Sequence, residues 1–405
     1  MNMNDPRVRE FARLQVTVGA GLRPGKRLYL KGVPLSAADY IRVLAEEAYA
    51  VGASDVQVSW VDGRLDRLRY LHAADAELDR HFGPAREFFE SLVAEGDSVI
   101  HMFSQEPHST DGCDARRIGR AMAAYMQTTA PLREAQMKAA VLHCTSTVPN
   151  PAWAREVFPQ LAEAEALDRL WEAVLAASRV TGDGRAAERW QEFDRKSKAR
   201  AKKLSEARLT ELRYRSGLGM DLTVGLPEGV LWESASSEAN GQSYYANLPT
   251  EEIFTSPHRE RAEGVIVSSM PLYWQGAVIR GIRLVMHDGV VTEAHADEGL
   301  EALLEVVEHD EGSRRLGECA LVGWDSPIRA VGVNFCNALF DENAACHFAL
   351  GKGFDYLVPG DARAAGINES DKHMDFMVGT ADLSVTGVRA DGGELPIMRD
   401  GMFVI

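Results

Sequence analysis

The sequence has no closely spaced cysteines. Its five, Cys113, Cys144, Cys319, Cys336 and Cys346, are odd in number, scattered and without a C-x-x-C pair, which argues against a disulfide scaffold and a structural zinc knuckle. Cationic residues are also in deficit. The 44 Lys and Arg against 60 Asp and Glu leave a formal net charge of -16, a field that repels phosphate backbones and anionic lipid, so neither nucleic acid nor membrane is expected as a partner. No apolar run approaches the length of a membrane helix, and Met1 to Ala12 carries Arg7 and Arg9 without an apolar h-region, so the chain reads as cytoplasmic. The familiar catalytic loops are missing too: there is no G-x-S-x-G, no H-E-x-x-H and no Walker lysine loop. Gly19-Ala20-Gly21 with Gly25 precedes a strand where a phosphate loop should follow one, and Gly217-Leu218-Gly219 leads into the strand-like Met220 to Val224, so both read as turns.

What remains is an ordinary globular composition, 45% hydrophobic and 26% charged, over 405 residues, enough for two or three domains. The first half alternates strands and helices. Arg27 to Lys31 is a strand, Ser36 is placed to cap a helix carrying Ile41, Leu44, Ala45, Ala48 and Val51 up to Gly52, and Val56 to Trp60, Val99 to Phe103 and Ala139 to Cys144 follow as strands, with a helix at Ala115 to Met126. Such alternation predicts an α/β N-terminal domain with a parallel sheet, over residues 1–183. Helical patterns follow from Leu161 to Ser178 and from Gly184 to about Leu212. The cations of the latter (Arg195, Lys196, Lys198, Arg200, Lys202, Lys203) are interleaved with Glu188, Glu192, Asp194 and Glu206, so 184–210 reads as a solvated connecting helix rather than a phosphate-binding stripe. From there short strands and turns dominate, with His287-Asp288-Gly289, Asp391-Gly392 and Asp400-Gly401 as hairpin signals and a helix at Glu298 to Val307, which predicts an α+β C-terminal domain over 211–405.

The chemistry concentrates in four segments of that second half, where carboxylates and histidines interrupt apolar, Gly-rich sequence: 247–254, 316–320, 343–351 and 372–379. Glu318 between Leu316, Cys319 and Ala320 is costly to bury unless it is paired or metal-bound. His373 and Asp375 stand two apart on a predicted strand, so they share a face and can grip one cation. A lone His347 is ordinarily a hydrogen-bonded core histidine, and Glu251-Glu252 is ordinarily a solvated turn. Together the segments offer two histidines with at least two carboxylates, a donor set that suits Zn, Co, Mn or Fe, and a carboxylate able to bridge suggests two metals.

These segments resemble the metallo-aminopeptidases represented by aminopeptidase T and aminopeptidase S. The resemblance runs from Leu14-Gln15-Val16 and Gly21-Leu22-Arg23-Pro24-Gly25 through Pro151-Ala152-Trp153-Ala154 to the last hairpin, and Asn247 to Phe254, continuing through His258, is its most specific stretch. It implies a homodimer with two divalent metal ions per site (Zn, Co, Mn or Mg), acting on peptides with a free N-terminus by a metal-activated water. Position by position it implies Glu252, Glu318 (bridging), His347, His373 and Asp375 as metal ligands and Glu251 as the catalytic base; the 66 residues from Glu252 to Glu318 agree with the family spacing. One departure stands out. Where the family has a tyrosine seven residues after the ligand histidine, this chain has Phe354, and Tyr356, two residues on, is the candidate to replace it if it points from the same strand face. Two other readings compete: a mononuclear iron ring-cleaving oxygenase on a related scaffold, using His347 or another His with His373 and Asp375, and a non-catalytic, metal-stabilised binding protein.

Overall fold

The computed structural model describes the whole chain apart from residues 81, 82, 105, 240 and 275. It divides into two compact units, residues 1–190 with 236–249, and residues 191–235 with 250–405.

The first unit is built on a four-stranded parallel sheet of order β2-β1-β3-β4, from β1 (Arg27–Pro34), β2 (Asp55–Val61), β3 (Ser98–Met102) and β4 (Leu142–Ser146). Leu28, Leu30, Val99 and Ile100 are buried, as strands with helices packed on the sheet require. Helices Ala38–Ala50, Gly83–Glu95 and Ala115–Thr128 intervene between the strands. Ser36 does not cap the first of these. It lies in a 3-10 turn, Leu35–Ala37, and Ala37 occupies the cap position without a side-chain bond. Strand β4 begins three residues later than the apolar run suggested, because Ala139, at φ 48°, ends the preceding helix in a left-handed conformation. An N-terminal helix, Pro6–Leu14, was not anticipated, although its start is written in Asp5-Pro6: Asp5 accepts the Arg7 N–H at 2.9 Å and proline takes the first turn. Gly19, expected in a turn, ends a π-helical segment, Gln15–Gly19, and a side chain is excluded there because a Cβ would lie 2.9 Å from Cys144 Sγ.

The boundaries differ from the expected ones at two places. The charged helix is Ala186–Glu206, the division falls inside it, and its cations pair with its own carboxylates, as in Lys196–Glu192 at 3.1 Å and Lys198–Asp194 at 3.3 Å. Residues 236–249, expected in the second domain, belong to the first unit. There Ser236–Ala239 and Gln242–Tyr245 form a hairpin, and Leu248 is tied to β4 by its N–H to Thr145 O (2.9 Å) and by its carbonyl, which accepts from Ser146 Oγ (2.9 Å).

The second unit contains an eight-stranded antiparallel sheet and a five-stranded antiparallel sheet that share one apolar core. In the eight-stranded sheet Arg283–His287 and Val290–His295 form the expected hairpin, with Asp288 and Gly289 both at positive φ. The five-stranded sheet runs, in order, His373–Met377, His347–Gly351, Leu316–Leu321, Ile253–Thr255 and Glu233–Ser234. Strand alternation assigns its faces. Cys319, Leu321, Phe348, Leu350, Met374 and Phe376 enter the shared core, and Phe348 meets Tyr214 edge-on with centroids 5.0 Å apart. Glu318, His347, His373 and Asp375, of opposite parity, are left on the other face. All five cysteines are free thiols, and among the described residues no helix is long and apolar enough to cross a membrane.

Candidate metal centre

Strand register fixes the site. Ala349, on the middle of the three ligand-bearing strands, pairs with Glu318 on one side and with Asp375 on the other, which sets the two carboxylates in one row across a residue too small to separate them. His347 pairs with Ala320, and His373 lies at the strand start opposite Gly351. Glu252 directly precedes Ile253–Thr255, whose first residue pairs with Leu321 at the end of the Glu318 strand. Donor atoms of Glu252, Glu318 and His347 all fall within 4.8 Å of one another, and so do those of Glu318, His373 and Asp375. Glu318 belongs to both groups.

Each histidine is oriented in the same way. His347 Nδ1 faces Ala345 O at 3.2 Å and His373 Nδ1 faces Lys352 O at 2.8 Å, so each Nδ1–H donates to a main-chain carbonyl. The opposite ring nitrogens are aimed at carboxylates: His347 Nε2 at Glu252 Oε2 (3.1 Å), His373 Nε2 at Glu318 Oε2 (3.1 Å) and Asp375 Oδ1 (3.4 Å). A carbonyl on one ring nitrogen with the other turned toward anionic oxygens is the arrangement that presents Nε2 lone pairs to a cation.

The electrostatics make the same point. Burial, reinforced by Asp375 and Glu252, pushes the Glu318 carboxyl up to about 7 even though His373 opposes the shift. Burial alone would depress His347, yet its hydrogen bond to Glu252 and the charges of Glu252, Asp375 and Glu318 carry it up to about 10, and His373 is raised in the same way by Asp375 and Glu318. Asp375 is desolvated, but the two histidines hold its carboxyl below the usual range. Its Oδ1 is buried without a hydrogen bond. Crowded carboxylates are held by positive charge or by taking up a proton, and a divalent cation among these oxygens and the two imidazoles would meet the same need.

Glu251 is buried at 7% exposure, and its N–H donates to Asn343 Oδ1 at 2.7 Å. Tyr356 does not lie on the His347 strand, although its ring stands 5.8 Å from that of Phe354. The strand that carries His347 ends at Gly351, whose φ of 102° only glycine adopts easily, so Tyr356 sits instead on a 3-10 turn, Asp355–Leu357, and is 56% exposed. The expectation that it shares a strand face with position 354 therefore fails. Phe354 itself does line the site, its ring 5.5 Å from the His373 ring and 5.1 Å from Phe254.

Sequence reasoning missed Glu342, which starts the 3-10 turn Glu342–Ala344. Burial raises its carboxyl well above the usual range, and Asp375, Glu252 and Glu318 push in the same direction. It lines a small cavity with Asp375, Asp341, Leu272, Ala338 and Met377. Its neighbour Asp341 is occupied structurally, accepting the Phe335 and Asn337 N–H groups at 2.8 and 2.9 Å.

Residues 4–403 match the family model described as thermophilic metalloprotease (M29). The chain belongs to that family. It is 38% identical to aminopeptidase T of Thermus aquaticus over 402 residues, covering 98% of each chain. The solved structure of wild-type AmpT from Thermus thermophilus superposes with a TM-score of 0.92 at 36% identity, covering 98% of this chain and 99% of that one. A 2,5-dihydroxypyridine dioxygenase from Pseudomonas putida KT2440 shares the fold at a TM-score of 0.55 and 13% identity, covering 100% of this chain and 98% of that one. As a member of the metalloprotease family the chain is a peptide-bond hydrolase with an α/β N-terminal region and a mainly antiparallel C-terminal region.

Proposed function

We propose that the protein is a two-metal aminopeptidase that releases N-terminal residues from peptides. The observation that carries this reading is that Glu318 belongs to both donor groups, one completed by Glu252 and His347 and the other by His373 and Asp375. A single-ion site of two histidines and one carboxylate would leave Glu252 and Glu318 as uncompensated negative charge at under 10% exposure, which disfavours the oxygenase reading. When bound, two divalent ions would supply Lewis acidity to the scissile carbonyl and lower the pKa of a water. Glu252, Glu318, His347, His373 and Asp375 hold the charge in place, with Glu342 as an additional ligand candidate. Glu251 accepts the proton from the attacking water and delivers it to the leaving amine. In this reading the protein works as a cytoplasmic homodimer, and light scattering of the purified protein tests its assembly.

Recognition of the free amine is the distinguishing property. A leucyl peptide is expected to be cleaved at least about a hundredfold faster than its N-acetyl derivative, a loss of about 3 kcal/mol of transition-state binding. Equal rates on the two would show an endopeptidase and overturn the reading.

The aromatic pair gives a second expected result. Phe354→Tyr adds a hydroxyl to a ring 5.5 Å from that of His373 and should raise kcat by about tenfold or more at unchanged metal content. Tyr356→Phe, on the exposed turn, should leave kcat within about threefold. Steady-state kinetics with elemental analysis of both variants checks this, and a large loss in Tyr356→Phe would return the catalytic role to that residue.

A further inference from the structure

Asn343 lies at the junction of two separate site elements and is fully buried. Its amide has one orientation compatible with its neighbours. The Glu251 main-chain N–H can only donate, so the atom facing it at 2.7 Å must be Oδ1, and Nδ2 then donates to Leu339 O at 3.1 Å and to Glu342 Oε1 at 3.3 Å. The main-chain carbonyl of Asn343 is itself held, accepting from Ser326 Oγ at 2.9 Å. The side chain therefore joins the backbone at the Glu251-Glu252 pair to the carboxylate of Glu342. Those two carboxylate-bearing segments have no strand pairing with each other. Ile253–Thr255 pairs with Glu233–Ser234 and with Leu316–Leu321, and Glu342–Ala344 is a 3-10 turn.

We infer that Asn343 is a positioning residue of the metal centre, one amide that sets the spacing between the Glu251-Glu252 pair and Glu342. Its Oδ1 fixes the main chain from which Glu251 and Glu252 project, and its Nδ2 donates to one oxygen of Glu342. Leu339 O anchors the amide to the helical turn Ala338–Asp341, whose start is capped by Asn337 Oδ1 accepting the Leu339 N–H at 3.1 Å. The inference rests on the two-metal reading. The side chain divides its bonds between the Glu251 main chain, 92 residues away in sequence, and the carboxylate of the adjacent Glu342.

The test uses full-length Asn343→Asp and Asn343→Ala, with Zn2+ titrated into the chelated, dialysed protein against a chromophoric chelator and with kcat, KM and thermal unfolding measured in parallel. Asn343→Asp keeps the volume and the acceptor for the Glu251 N–H but replaces the donor to Glu342 with a like charge. Its Zn2+ affinity is expected to fall by about 10- to 100-fold, the range for loss of a residue that orients ligands. Asn343→Ala should lose at least as much and also lower kcat more than it changes KM. Adding Glu342→Gln to Asn343→Asp lets an amide at 342 donate to the new carboxylate and should recover part of the lost affinity. If Asn343→Asp melts at lower temperature with and without metal but binds Zn2+ like the wild type, the residue is merely structural and the inference is overturned. A failure of Asn343→Ala to fold leaves the aspartate variant to decide. Wild-type protein that binds no Zn2+ in the same titration would instead refute the metal reading itself.

Discussion

Glu318→Gln is expected to lose metal and hydrolysis together. The carboxylate lies in both donor groups, so exchanging it for a neutral amide removes a ligand and a negative charge from two ions at once. Metal affinity should fall by more than about a hundredfold and kcat by about a thousandfold or more. The substitution is nearly isosteric, and without metal it even relieves the crowding that raises the Glu318 carboxyl, so the variant should fold and melt no lower than the chelated wild type. Elemental analysis after dialysis and a thermal melt of the chelated protein check both halves. Retention of full metal content would place the bridging role elsewhere.

Glu251→Gln should separate the two properties. Its neighbour Glu252 contacts His347 Nε2 at 3.1 Å, whereas Glu251 is in neither donor group, so the amide variant is expected to keep its metal while kcat falls by about 10²- to 10⁴-fold, the usual contribution of a general base. The main-chain bond from Glu251 to Asn343 is untouched by the substitution, which removes loop disorder as an explanation. The reverse outcome, metal lost from Glu251→Gln and retained in Glu252→Gln, would exchange the two roles.

Much of this site was legible in the sequence because strand parity is a local property. His373 and Asp375 share a face by the two-residue period alone, and Glu318, between apolar neighbours, declared its burial before any partner was known. Glu342 was not legible. It follows Asp341 and precedes Asn343 in a run that reads as a solvated turn, and only the tertiary placement of that turn brings it near Asp375. The return of residues 236–249 to the first unit was hidden for a similar reason, since it depends on Leu248 meeting β4 more than a hundred residues away. Tyr356 was misplaced by extending the His347 strand past a glycine whose positive φ terminates it. Periodicity reports which residues share a face within one element. It carries no information about which turns come to lie beside that face.

The two-metal claim is tested most directly by counting ions and measuring hydrolysis in the same preparation. The account predicts about two divalent ions per chain, loss of leucyl-peptide hydrolysis on chelation, and its return only as the second equivalent is restored. The first unit, with its own buried strands, should keep its circular dichroism throughout. Full activity at one ion per chain, or hydrolysis that survives complete chelation, would contradict it.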